Sequence, residues 1–244
     1  MTIKTTLDYS PNFNPNKRSI KQIKFIIFHY TGMEKESAAV KRLTNIQSEV
    51  SSHYLIKNSG EILTLVPDLY IAWHAGKSSW KNYVSLNENS IGIEISNPGH
   101  ENEYRNFTHK QIISLLKLSK FLIKKYKINP KNILGHSDIA PNRKKDPGEK
   151  FPWKYLSQNK VGLWHTLNKQ KLIKNRMFKI LNTDKEYFFN NLFKIGYSKT
   201  NSKNQNKNEY LRCITKAFQR RFRPELINGK IDKECLLISD NLLK

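Results

Sequence analysis

IKFIIFHY, residues 23–30, is a short run dominated by isoleucine and phenylalanine that ends in a histidine and a tyrosine. A run of this length and composition is typical of a buried β-strand. NSIGIEIS (89–96) alternates three isoleucines with smaller or polar residues, which predicts a second strand with two unlike faces. Glu94 falls on the face opposite the isoleucines, so this strand is expected to present one carboxylate.

A third short strand is predicted at NILGH, residues 132–136. His29 and His136 then both lie at the end of an apolar strand, where a sheet delivers side chains to its rim. The next segment, SDIAPNRKKDPGEKFPW (137–153), contains too much proline and glycine for regular structure and predicts a long loop. Asp146 lies in this loop, ten residues after His136.

Helical and strand-like segments alternate through the first part of the chain. Residues 108–128 give the clearest amphipathic helix pattern, with Thr108 as its N-cap. Residues 34–50 also have helical spacing, residues 53–66 predict a β-hairpin, and residues 71–76 predict a loop. This alternation predicts an α/β fold in which helices cover a sheet.

The pattern changes after Trp153, where strand signals stop. A polar linker is predicted at residues 198–208, and a turn at Asn228-Gly229 precedes a last helix. Three further segments predict helices: 163–181, 184–197 and 209–222. The C-terminal part of the chain is therefore expected to be all-α.

Composition excludes several classes of protein. Two cysteines in 244 residues rule out a disulfide scaffold and a cysteine-rich zinc ribbon, so any metal site must use histidines and carboxylates. No apolar run approaches the ~18 residues of a transmembrane helix. The first residues show no signal peptide, which predicts a cytoplasmic protein, or a periplasmic or envelope protein if another export route is used.

The formal charge of +23 raises the question of a polyanionic partner such as nucleic acid. The basic residues are 34 lysines and only 9 arginines, and lysine is accompanied by abundant asparagine and isoleucine. This composition is typical of an A+T-rich genome, so we expect no nucleic-acid partner. A nucleic-acid binder would show steeply salt-dependent affinity for DNA and no need for zinc.

Two imidazoles and one carboxylate form the ligand set of many catalytic zinc sites, in which water takes the fourth position. His29, His136 and Asp146 supply such a set. Residue types and spacing alone leave other sets open, because the chain has five more histidines: His53, His74, His100, His109 and His165.

Two further residues are candidates for the chemistry. Glu94 interrupts a strand, where glutamate is disfavoured, so it is either a proton shuttle or part of a solvated face. Lys144 precedes Asp146 by two residues and could place its ammonium on a developing oxyanion, although it is one lysine among 34.

Five segments occur in a specific order between residues 23 and 156: FIIFHYTGM, SSHYLIKNSGEI, AWHAG, NSIGIEIS and GHSDIAPNRKKDPGEKFPW. In this order they resemble the type-2 N-acetylmuramoyl-L-alanine amidases, zinc enzymes related to peptidoglycan-recognition proteins. The resemblance implies a central mixed β-sheet flanked by helices. It also implies hydrolysis of the amide between N-acetylmuramic acid, ordinary or 1,6-anhydro, and L-alanine of the stem peptide.

The same resemblance implies a role for each matching residue. The zinc ligands would be His29, His136 and Asp146. Glu94 would be the catalytic acid/base, and Lys144 would stabilise the tetrahedral intermediate. The rim of the substrate groove would include Trp73, His74 and Arg143. His53 matches a family position as well and is expected to be structural.

The segment AFQRRFRPELINGKIDKECLLISDNLL (217–243) resembles the helical peptidoglycan-binding domain that one subgroup of these amidases carries. This implies a catalytic domain over residues 1–160 and a three-helix peptidoglycan-binding domain over residues 161–244. The expected partner is peptidoglycan or a soluble muropeptide. The alternative function is a non-hydrolytic recognition module, which the complete set of ligands argues against.

Overall fold

The computed structural model describes residues 3–199 and 206–244, so residues 200–205 of the predicted linker lie outside the described residues. We number the strands and helices in chain order. The strands are β1 (Thr6–Leu7), β2 (Phe13–Asn14), β3 (Phe25–Tyr30), β4 (Tyr54–Ile56), β5 (Ile62–Thr64), β6 (Ile71–Ala72), β7 (Ser79–Trp80), β8 (Tyr83–Val84), β9 (Ser90–Ile95) and β10 (Ile133–Gly135). The helices are α1 (Glu36–Thr44), α2 (His109–Tyr126), α3 (His136–Ile139), α4 (Trp153–Gln158), α5 (Lys169–Asn175), α6 (Asn182–Ile195), α7 (Lys207–Phe222) and α8 (Lys233–Asn241).

Six strands form the main sheet in the order β1-β5-β4-β9-β3-β10. The β4–β5 pair is antiparallel, and the other four pairs are parallel. The sheet is therefore mixed, and the predicted hairpin at 53–66 is confirmed. Two-stranded pairings of β2 with β6 and of β7 with β8 lie outside this sheet.

The register of the central strands determines where the polar residues meet. β3 pairs with β9 so that His29 lies opposite Glu94, and with β10 so that Phe28 lies opposite Gly135. The next residue, His136, is the first residue of α3 and not the last of a strand, which corrects the sequence prediction by one residue. Parallel strands thus bring both histidines and Glu94 to the same edge of the sheet.

The two faces of the sheet are covered differently. α2 packs on one face, where alternate residues such as Ile26, Phe28 and Ile93 form an apolar core with Leu115 and Leu122. Thr108 caps this helix as predicted, since its hydroxyl accepts a hydrogen bond from the Gln111 N–H and the Gln111 side chain bonds back.

The opposite face is covered by the C-terminal helices. Phe25, Ile27 and Leu134 of the sheet share one core with Phe188 of α6 and Phe218 of α7. The helices after residue 160 therefore pack directly on the sheet that carries the histidines. No strand follows β10 within the described residues, as the sequence predicts.

One predicted helix is much shorter than expected. Of residues 163–181, only Lys169–Asn175 are helical. The segment before it is held extended because Thr166 bonds the Asn241 side chain, and Asn168 then caps α5. After α5 the backbone of Met177 has a left-handed φ of 67°, which a continuous helix cannot accommodate. The helix predicted at 34–50 also ends early, at Thr44.

None of the described helices is both long enough and apolar enough to cross a membrane.

Candidate active site

Three buried side chains converge where β3 and β10 end. The Nδ1 atoms of His29 and His136 lie 2.9 Å apart, and each lies 3.0 Å from Oδ2 of Asp146. All three residues are less than 10% exposed. Within the part of the chain that the structure describes, they form the one group of histidine, cysteine or acidic residues that could hold a metal ion.

Local structure brings Asp146 back to the two histidines. His136 begins α3, and the loop that follows this helix returns so that the Ser137 N–H donates to the carbonyl oxygen of Asp146 over 2.8 Å. The long loop predicted at residues 137–153 is therefore anchored at Asp146.

A chain of hydrogen bonds fixes the proton of His29. The carbonyl oxygen of Leu86 can only accept, so the Ser90 hydroxyl donates to it and its own oxygen accepts from Nε2 of His74, 3.1 Å away. Burial holds the pKa of His74 well below its ordinary value, so this ring is neutral and its Nδ1 accepts from Nε2 of His29 over 3.0 Å. The Nδ1 lone pair of His29 consequently faces His136 and Asp146.

The second histidine is oriented in the same way. Its Nδ1 faces His29 and Asp146, while its Nε2 lies 3.2 Å from the carbonyl oxygen of Ala75 and 3.3 Å from Nη2 of Arg143. Asn87 fixes the position of that carbonyl because its side-chain oxygen accepts from the N–H groups of His74 and Ala75. Arg143 donates to the same Ala75 carbonyl and to that of Lys77.

The pKa shifts of His29 and Asp146 favour the protonation states that bind a cation. Burial, followed by the charge of His136, lowers the pKa of His29 to about 4. Burial alone would raise the pKa of Asp146, but the imidazoles of His136 and His29 hold it well below its ordinary value. The neutral imidazole of His29 and the Asp146 carboxylate therefore converge with Nδ1 of His136, and these three potential ligand atoms lie within 3.0 Å of one another. This arrangement suits a bound cation.

Glu94 lies beside this cluster on the neighbouring strand. It is partly buried, and its Oε2 atom has no hydrogen-bond partner among the described residues. Burial raises the pKa of Glu94 well above its ordinary value, the charge of Asp146 adds to the shift, and Lys144 opposes it. A carboxyl group with a raised pKa and an unused oxygen is suited to exchanging protons near neutral pH.

The cluster opens into a cavity of about 530 Å³ that Glu94, Lys144 and Arg143 also line. Lining residues that the sequence analysis missed include Met33, Arg42, Glu101 and Lys145. No pattern in the sequence distinguishes these from other surface residues, because they reach the cavity from separate loops and from α1.

The three residues predicted at the groove rim occupy different places. Arg143 lines the cavity. His74 lines it too but is buried behind His29, next to Gly92, where a Cβ atom would lie 2.4 Å from the His74 ring. Trp73 is 37% exposed and is not part of the cavity wall.

His53, which was expected to be structural, is fully buried. Its Nδ1 accepts from the backbone N–H of Gly92 over 3.0 Å, and its Nε2 lies 3.0 Å from the carbonyl oxygen of Tyr70. It therefore braces the strand behind the site.

The matches to known proteins differ in how much of this chain they cover. A family model described as N-acetylmuramoyl-L-alanine amidase matches residues 19–149. The N-acetylmuramoyl-L-alanine amidase AmiD of Escherichia coli (strain K12) is 35% identical over 235 residues, which is 91% of this chain and 83% of that protein. The 1,6-anhydro-N-acetylmuramyl-L-alanine amidase AmpD of the same organism is 41% identical over 104 residues, 43% of this chain and 55% of that protein.

Solved structures of such proteins share the fold over almost the whole chain. E. coli AmiD, in complex with anhydro-N-acetylmuramic acid-L-Ala-D-γ-Glu-L-Lys, has a TM-score of 0.80 at 34% identity and covers 94% of this chain and 92% of its own. AmpDH3 from Pseudomonas aeruginosa has a TM-score of 0.78 at 31% identity and covers 98% of both chains. Both matches therefore include the C-terminal helices.

Proposed function

The chain belongs to the N-acetylmuramoyl-L-alanine amidase family, and from this premise we propose how its residues divide the work of hydrolysis. As an enzyme of this family, it hydrolyses the amide between N-acetylmuramic acid and L-alanine of a peptidoglycan stem peptide. The substrate in the AmiD complex is an anhydromuramyl tripeptide, and we infer that this chain accepts the same class of compound. The named relatives are amidases, which leaves the recognition-only alternative unsupported.

His29, His136 and Asp146 would hold a zinc ion. Nitrogen and carboxylate donors without a thiol suit zinc, and two histidines plus one carboxylate leave a coordination position open. A zinc ion bound there lowers the pKa of a bound water to about 7 and polarises the substrate carbonyl. The observation that carries this proposal is the convergence of three potential ligand atoms beside an oxygen of Glu94 that has no hydrogen-bond partner among the described residues.

Glu94 would act first as base and then as acid. Its unpartnered Oε2 accepts a proton from the attacking water and afterwards delivers that proton to the departing alanine nitrogen. The raised pKa of Glu94 favours the first step, because a carboxylate with a higher pKa is a stronger base.

Lys144 and Arg143 would supply positive charge. Both line the cavity, and the guanidinium of Arg143 is fixed by the backbone carbonyls of Ala75 and Lys77. The Lys144 ammonium would offset the charge that develops on the carbonyl oxygen during attack. Trp73 and His74 remain predicted contacts of the substrate groove.

Three substitutions test this division. Asp146→Ala should lose most bound metal and all turnover of an anhydromuramyl tripeptide, because two imidazoles alone bind zinc weakly.

Glu94→Gln should keep its metal and slow turnover by about 10²–10⁴-fold. Lys144→Ala should slow it by about 10²–10³-fold. Products are followed by mass spectrometry and metal by elemental analysis, with the exposed Glu103→Gln as control. Wild-type turnover of Asp146→Ala in chelator-treated buffer would refute the metal assignment.

We also propose that residues 161–244 hold the enzyme on peptidoglycan. The support is the resemblance of residues 217–243 to a peptidoglycan-binding domain, together with the charge of residues 154–244, which carry 20 basic and 7 acidic side chains. Co-sedimentation of the full chain with insoluble sacculi in high salt tests it, because salt screens a purely electrostatic attraction. The compartment predicted from the sequence stays a prediction, which cell fractionation would test.

A further inference from the structure

A second cavity of about 530 Å³ lies between α6, α7 and the turn before α8. It shares no lining residue with the catalytic cavity. We call it the basic groove. Its lining residues are Lys179, Ile180, Lys185, Phe189, Asn208, Leu211, Arg212, Thr215, Gly229, Lys230 and Ile231.

The groove carries charge of one sign only. Four cationic side chains line it and no carboxylate does, whereas the catalytic cavity is lined by both signs. The exposed cations are Lys179, Lys185, Arg212 and Lys230, and none of them forms an ion pair with any described residue. Two acidic residues that are close in sequence are already engaged, since Asp184 accepts from the Leu181 N–H and Asp232 pairs with Arg223.

The floor of the groove is apolar, and one wall is fixed. Four half-buried apolar side chains form the floor: Ile180, Phe189, Leu211 and Ile231. Gln219 is fully buried and clamps the wall, because its side chain accepts from the Gly229 N–H and donates to the carbonyl oxygen of Lys230. A Cβ atom at Gly229, which has a φ of 71°, would lie 2.9 Å from Cγ of Arg212, so the turn lies directly against that side chain. The groove is thus shaped before any ligand arrives.

We propose that the basic groove binds the carboxylates of a peptidoglycan stem peptide. This rests on the proposed wall-binding function of residues 161–244 and gives it a location. In the tripeptide bound to AmiD, the γ-linked glutamate keeps a free α-carboxylate and the final lysine bears a second one. Lysine and arginine bind carboxylates through charge-assisted hydrogen bonds, and the aliphatic parts of the peptide fit the apolar floor.

The test uses the tripeptide L-Ala-D-γ-Glu-L-Lys, titrated into the full chain while backbone amide chemical shifts are recorded. The Gly229 and Lys230 amides report on the groove. Arg212→Gln combined with Lys230→Gln removes two cations from it. The matched control is Lys120→Gln combined with Lys124→Gln, which removes the same charge from exposed positions on α2. The diamide of the tripeptide, which has no free carboxylate, is titrated in parallel.

We expect saturable shifts at the groove amides with the wild type and the control. The groove variant should bind the tripeptide about tenfold more weakly or worse, and the diamide should leave these amides unmoved. Shifts confined to the catalytic cavity, or equal affinity of the groove variant and the control, would overturn the proposal. So would a groove that binds a short single-stranded oligonucleotide and not the tripeptide.

Sacculus binding separates this proposal from the one on which it rests. If the groove variant co-sediments with sacculi in high salt as well as the control does, the groove assignment is wrong while the wall-binding proposal stands. If the wild type does not co-sediment either, the wall-binding proposal fails as well. Turnover of a soluble muropeptide by the wild type tests the amidase assignment independently of both.

Discussion

The two faces of the central sheet differ in what covers them. On the α2 face, residues of α2 and α4 share one apolar core with the sheet. The opposite face is divided, because helices from the C-terminal region cover its apolar part and the cluster of His29, His136 and Asp146 occupies the edge where β3 and β10 end. The C-terminal helices are therefore part of the core that supports the candidate active site, besides any role in binding peptidoglycan.

A buried aspartate anchors the covering helix on each face, and the two anchors differ in strength. Asp68 accepts from Lys125 of α2 over 2.8 Å, but the Lys125 side chain is 46% exposed. Asp138 pairs with Arg221 of α7, and both side chains are less than 5% exposed. Asp138 also accepts from Tyr197 and from the Gly135 N–H, so it ties α7 to the turn on which His136 sits.

The largest expected effect comes from ending the chain at Ser157. This removes α5–α8, exposes Phe25, Ile27 and Leu134 to water, and leaves the buried charge of Asp138 without Arg221. We expect the shortened chain to lose cooperative thermal unfolding, as followed by circular dichroism, and to lose its metal. If the fragment were soluble, folded cooperatively and bound zinc, the C-terminal helices would not be needed to support the site.

A smaller effect is expected from Arg221→Met. The substitution keeps much of the side-chain volume but leaves Asp138 charged and unpaired, which should lower the free energy of unfolding by about 3–5 kcal/mol. Urea unfolding measures this. Asp138→Asn combined with Arg221→Met should recover part of the loss, because no buried charge remains. Competition with a chromophoric chelator should also show weaker zinc binding, since the turn carrying His136 is loosened.

The smallest effect is expected from Lys125→Met on the α2 face. An exposed ion pair is worth at most about 1 kcal/mol, and Asp68 keeps its hydrogen bonds from Tyr54 and Tyr126. Zinc affinity should be unchanged in the same chelator assay. If Lys125→Met and Arg221→Met destabilised the chain equally, exposure would not explain the difference between the two anchors.

Local patterns in the sequence were sufficient for the central strands and for α2. The run of apolar residues around Ile26, the alternation around Glu94 and the capping box of Thr108 are all determined by neighbours in the chain. The candidate ligands could be predicted as well, because each histidine lies at or just beyond the end of an apolar strand. Which two of the seven histidines are candidate ligands could be decided only from the resemblance to the amidase family.

The supporting interactions could not be predicted, because they join residues remote in the sequence. Nothing near His74 indicates that its ring orients His29, and nothing near Arg221 indicates a partner in Asp138. The end of α5 was missed for the same reason. Its flanks are held by Asn241 and Asp232, and these contacts outweigh the helical propensity of residues 163–181.

The order of the site residues along the chain has a consequence for biosynthesis. His29 leaves the ribosome before His136 and Asp146, which follow only after the strands of the main sheet have been made, and Arg221 emerges later than all three. An emerging chain can pair β3 with β9 and pack α2 well before that point. The turn that carries His136 becomes anchored only when α7 has emerged, so we expect the nascent protein to acquire its metal only after α7 has packed on the sheet.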